Sequence, residues 1–201
     1  MSYIDHNPRI AWAMAFETGV RTQAAVDLEE AGCKVQTSGA KSGGCYGDQY
    51  IPVYSAIRQM ERTTPLLAAV GHWLCLADTS AANQHMDDVA DAILTAYVAK
   101  TPEWDGYRAA RKERIRALIQ AHMMQDRNDM DGSRPLWQPR EVCFYCAEFV
   151  GVRIIADNWQ RDGWESAWNK IGDILYALES DAMSPIVDVT RATNRAMKEA
   201  A

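Results

Sequence analysis

The run at 141–185, EVCFYCAEFVGVRIIADNWQRDGWESAWNKIGDILYALESDAMSP, constrains the fold more than any other stretch, because it reads as three helices divided by tight punctuation. The expected order is a short apolar helix, a glycine turn, a second short helix carrying Arg153, and a tryptophan-rich third helix that clamps the other two. Ala147 precedes Gly151 by four residues and Val152 follows, the small-residue, turn-glycine, apolar order of a helix-turn-helix. A small residue lets two helices approach closely, and glycine takes the positive φ that a tight turn needs. The apolar anchor expected in the middle of the second helix falls on or near Asp157, and only a shift of register onto Ala156 or Trp159 supplies one. An ordinary helical hairpin is the alternative reading.

The remaining punctuation is also helical. Asn7-Pro8 offers a cap and a first-turn proline, followed by Ile10, Ala11, Met14 and Ala15 on one face. A second helix is expected from Thr22 until Gly32. Residues 32–48 are rich in glycine and serine and read as a loop or hinge. Lys41-Ser42 stands before Gly43-Gly44 instead of after the glycines, so a mononucleotide phosphate loop is not spelled there. Tyr50, Val53, Tyr54, Ile57 and Met60 give one amphipathic helix, and Leu66, Leu67, Val70, Trp73 and Leu74 a more apolar one. Val89, Ile93, Leu94 and Tyr97 mark the inner face of another. Trp164, Trp168, Ile171, Leu175 and Leu178 predict a buried stripe, with Ser184-Pro185 starting a last helix. The expected fold is all-α, a multi-helix bundle with a helix-turn-helix-like C-terminal half. It is organised as an N-terminal region, 1–100, and a C-terminal region, 101–201, forming one large helical domain or two small ones.

Charge limits what such a bundle can bind. A net charge of -6 excludes coating of nucleic acid by bulk attraction, so any such contact needs a local basic patch. The densest candidate is PEWDGYRAARKERIRALIQAHMMQDR, where Arg108, Arg111, Lys112 and Arg116 lie near one another on a helix face above an inward stripe of Ile115, Leu118, Ile119 and Met123. A solvated face partly neutralised by Glu113 is the competing reading. No apolar run has the length needed to cross a bilayer, and the start lacks the plan of a secretory signal, so a cytoplasmic protein with reduced cysteines is expected.

Catalytic and metal motifs are weak. Cys143 and Cys146 form one C-x-x-C without a second pair at zinc spacing, and burial on a helix explains both. His72 and Cys75 are two potential ligands and read as core. Asp126, Asn128, Asp129, Asp131 and Gly132 lack the spacing and terminal glutamate of a calcium loop. Asp87, Asp88 and Asp91 suit a helix N-terminus, though a metal-assisted carboxylate site is the sharper alternative. No cofactor is implied. Trp159, Trp164 and Trp168 lie among Arg153, Arg161 and Lys170, a mixture used for core packing and also for stacking single-stranded bases.

The Gly-Val turn followed by NWQRDGWESAW, the helix ending LESDAMSPI, and more weakly the start MSYIDHNPRIAWAM resemble phage Q-type late-gene antiterminators. The resemblance is closest to the AlpA-like regulators of lysis cassettes. It implies a protein that binds a double-stranded DNA element near a promoter and joins a paused RNA polymerase, with its sigma factor a possible contact. Such a protein then makes the enzyme ignore terminators by restricting the channel through which nascent RNA leaves. The positions matching the DNA-reading helix are Arg153, Asn158 and Arg161, with Asp157 departing from the pattern. A phage assembly or packaging protein is the other class compatible with the sequence.

Overall fold

The computed structural model describes residues 3–17, 48–77, 79–130 and 135–199. The helix expected from Thr22 and residues 32–47 of the loop expected at 32–48 lie outside the described residues, while Asp48 opens a 3-10 turn. Among those described, eight α-helices and three 3-10 turns account for the regular structure, and no strand is present. The all-α bundle is therefore the observed fold.

α1 (Pro8–Glu17) begins as its sequence dictates, with the Asn7 side chain accepting from the Arg9 amide at 2.9 Å and Pro8 needing no donor partner. α2 (Ile51–Thr63) shows one buried stripe of Val53, Ile57 and Met60. Pro65 then starts α3 (Pro65–Cys75), which is buried on every side from Ala68 to Cys75. A helix that is apolar all round belongs at the centre of a bundle, and α3 sits there. Gly71 has a specific role in it. The Trp12 ring from α1 lies against the α3 backbone so closely that a β-carbon at position 71 would stand 2.1 Å from it.

After the short α4 (Thr79–Asn83) come α5 (Met86–Ala99) and α6 (Ala109–Arg127), whose expected inward residues Ile115, Leu118, Ile119 and Met123 are all fully buried. α7 (Pro139–Phe149) opens with a reciprocal capping box between Gln138 and Glu141. Gln125 of α6 holds the approach to it by accepting from the Trp137 amide at 2.8 Å.

α8 (Trp164–Glu199) is the spine. It packs against α1, α2, α3, α5 and α6, and residues of both sequence regions share one hydrophobic cluster. The expected helix start at Ser184-Pro185 is not a start. Pro185 lies inside α8, and its missing donor is tolerated because the buried stripe of Ala182, Met183, Ile186, Thr190 and Asn194 continues through it.

The second helix of the expected helix-turn-helix is not formed. Gly151 ends α7 at a φ of 75°, and the Val152 amide then donates back to the Cys146 carbonyl at 2.9 Å. Beyond the turn, residues 152–155 are non-helical, and a 3-10 turn follows at Ala156–Asn158. Val152, Ile154 and Ile155 are β-branched and therefore poor helix formers. Arg153 and Ile155 are exposed and Ile154 is buried, the alternation of an extended chain. Ala147 is exposed as well, so no helix packs against the small residue as the motif requires.

Candidate nucleic-acid interface

The segment between α7 and α8 runs along the first half of α6, and two anchors fix it there. Arg111 donates to the Asp162 carbonyl at 3.0 Å, and Arg114 donates through Nε to the Arg153 carbonyl at 3.1 Å. Gly163, at a φ of 76°, turns the segment into α8, and the Trp164 amide closes that turn on the Trp159 carbonyl at 2.9 Å. Ile154, Trp159 and Trp164 are buried beneath it. The chain between these anchors is thus held by apolar pins, with Arg153 and Arg161 projecting outward.

The seven residues expected to meet nucleic acid separate into three groups. Arg108, Arg153 and Arg161 are exposed. Arg108 stands at the N-cap of α6 with an extended backbone, and Arg161, 74% exposed at its side chain, reaches among the described residues only its neighbour Asp162, at 3.3 Å. These three are the cations that the edge presents outward.

Arg111 belongs to the interior instead. Its guanidinium lies 4.8 Å from the Tyr107 ring centroid and 4.7 Å from that of Trp164, and its Nε is buried without a hydrogen-bond acceptor. A cation sandwiched between two aromatic faces is satisfied by their quadrupoles, so Arg111 positions the segment and has little to offer a phosphate. Lys112 is half-buried with its ammonium 5.4 Å from the Trp104 ring. Asn158 is half-buried in the 3-10 turn, its carbonyl accepting from the Asp162 amide at 2.9 Å. Arg116 is exposed but turned toward α5, where it lines a shallow groove with Asp87 and Asp91. Two carboxylates beside it offset its charge. The α6 arginines therefore do not form one face.

Two features escaped the sequence reading. Arg114 was not singled out, yet it is the α6 cation that meets the Arg153 segment; its position two residues before Arg116, on the other side of the helix, was the available signal. α7 also exposes aromatic surface. Phe144 and Phe149 are 63% and 72% exposed, and Phe149 stacks on Tyr145, whose ring in turn lies 5.4 Å from Trp137. Leu136 and Ile155, on either side of α7 in sequence, are exposed as well. α7 leads into the Arg153 segment through the turn at Gly151.

Reactive chemistry is not concentrated here. Cys143 and Cys146 are buried free thiols, and burial pushes both up, Cys146 to about 12, which keeps them protonated and inert at neutral pH. Among the described residues no three His, Cys, Asp or Glu side chains gather in a metal-binding arrangement. Asp87, Asp88 and Asp91 are exposed at the start of α5. None of the described helices is long and apolar enough to cross a membrane. Comparison of the chain with protein-family models, curated proteins and solved structures finds no match.

Proposed function

We propose that this chain is a non-enzymatic transcription antitermination factor that binds double-stranded DNA along the edge formed by α6 and the 151–163 segment, and then loads onto RNA polymerase. The observation that carries the reading is the meeting of Arg114 with Arg153, thirty-nine positions apart in sequence, beside the exposed Arg108 and Arg161 in a chain of net charge -6. Cations held on fixed backbone beside a polyanion's path lose less freedom on binding than mobile ones, and each phosphate met releases condensed counterions. The resemblance to Q-type antiterminators falls on this same stretch, NWQRDGWESAW.

Because residues 152–155 are extended, no recognition helix enters the major groove from this segment. Arg153 approaches from a non-helical segment, a geometry equally able to present a guanidinium to guanine or to phosphate. Arg111 and Asn158 act by holding the segment. The exposed aromatics of α7 supply a protein contact surface, assigned in this reading to RNA polymerase near its RNA-exit channel, with sigma factor and nascent RNA as neighbouring contacts.

Transcription in vitro through a terminator, on templates differing only in upstream sequence, tests the proposal. Read-through is expected on one upstream element and is expected to fall at least tenfold with Arg153→Ala. Absence of read-through on every template overturns it. The α7 aromatics also favour a second reading, a helical assembly protein that pairs with copies of itself. Light scattering after size-exclusion chromatography separates the two: the regulator stays monomeric or dimeric without polymerase, whereas the assembly protein forms rings.

A further inference from the structure

A cleft of about 510 Å³ opens where the ends of α3 and α6 meet α4 and the start of α5. Its floor is apolar, built from Trp73, Cys75 and the methionines Met86, Met124 and Met130. Unbranched thioether side chains adapt their shape to an occupant at low cost. Among the described residues lining it, one is charged, Arg127.

Arg127 stands over the Trp73 ring at 4.7 Å and donates to two neutral acceptors, the Leu76 carbonyl at 3.2 Å and, more weakly, the Asn83 side chain at 3.5 Å. No described carboxylate forms an ion pair with it. A guanidinium has five N–H donors in a planar fork, so this one keeps donor capacity beside an apolar chamber. Burial pushes its pKa down, and no acid among the described residues opposes that shift. Arg9, the other inward arginine of the region, differs in having a carboxylate partner. It is bonded to both Glu179 oxygens and to the carbonyls of Asp126 and Asp129.

We propose that this cleft is a binding site for a small amphipathic monoanion, a carboxylate with an aliphatic or aromatic body, whose head pairs with Arg127 and whose body lies on Trp73 and the methionines. The volume lies within the range of small-molecule sites, and one charged group beside apolar walls is their usual composition. Thr79, Asn83 and Asn128 at the rim supply further hydrogen-bonding groups.

Isothermal titration of the full chain with sodium octanoate, 1-octanol and octylammonium tests this. Octanoate is expected to bind one to one and about tenfold more tightly than octanol, since a hydrogen-bonded charge is worth about a factor of ten or more. Arg127→Gln is expected to bring octanoate down to the level of octanol. Should that variant fail to fold, because Arg127 also holds the Leu76 carbonyl, Met86→Trp decides: filling the cleft is expected to abolish octanoate binding. Equal binding of the three probes, stoichiometry well above one, or octanoate binding unchanged in Met86→Trp overturns the proposal.

Discussion

Trp12 and Gly71 show how narrowly single residues are specified in this core. Trp12 is fully buried, so its ring cannot retreat from a new methyl group at position 71. Gly71→Ala is expected to destabilise by about 2–3 kcal/mol, as overpacking does, although alanine is the better helix former; urea denaturation measures it. Arg9 is as constrained by charge. Burial opposes its charge, yet the Glu179 carboxylate holds its pKa above the ordinary arginine value, and the two side chains are only 12% and 20% exposed. Arg9→Met strands Glu179 and two carbonyls and is expected to cost about 3–5 kcal/mol, with the Arg9→Met/Glu179→Leu pair costing less than the sum. His72 sets a pH dependence. Its Nε2 donates to the Glu61 carboxylate at 3.0 Å and its ring stacks on His85 at 4.9 Å, but burial dominates and lowers its pKa below 6.5. The folded protein then binds fewer protons than the unfolded chain near pH 6, so this contribution is present above about pH 6.5 and is lost as pH falls through the lower folded value. Tm is expected to drop from pH 7 to pH 5, and to drop less in His72→Gln. Residues of this kind were only half legible in sequence. The buried stripes follow from spacing, whereas Arg111 has the same chemistry as Arg108 and its fate was decided by Trp164, fifty-three positions away.

At the scale of elements, local chemistry and long-range packing divided the outcome. Asn7-Pro8 and the Gln138/Glu141 box start their helices because both partners of each cap are neighbours in sequence. The extended 152–155 segment was legible in its β-branched residues, and the glycine-turn pattern obscured it. Pro185 misled in the opposite direction: an isolated helix would stop there, and α8 does not because five buried residues beyond and before it share one wall. Proline costs about 3 kcal/mol relative to alanine in a regular helix interior. The buried stripe on both sides of Pro185 absorbs part of this, so Pro185→Ala is expected to raise stability by about 1 kcal/mol, read as a shift in the urea midpoint. At the α6 edge, Arg153→Ala is expected to reduce the slope of log affinity against log salt by about one, as loss of one phosphate contact does, while Arg111→Ala lowers stability before it alters binding.

Across the whole molecule the first described residues and the last helix are joined directly. Asn194, buried on α8, accepts from the Ile4 amide and donates to the Ile4 carbonyl, both at 2.9 Å, and Ile4 itself is buried. One amide side chain thus satisfies a backbone unit from the other end of the chain, in the way a neighbouring strand would. Asn194→Leu leaves both Ile4 groups unpaired and is expected to cost about 2–3 kcal/mol and to expose the first residues to proteolysis, which timed digestion would detect. The single cluster around α3 follows from composition and helical spacing, but the role of α8 as its wall does not, because the same stripe could have faced any of several partners. That wall has a temporal consequence. Because α8 follows in sequence every helix that rests on it, α1, α2, α3, α5 and α6 are synthesised before their shared support, and their packing on that side is completed late.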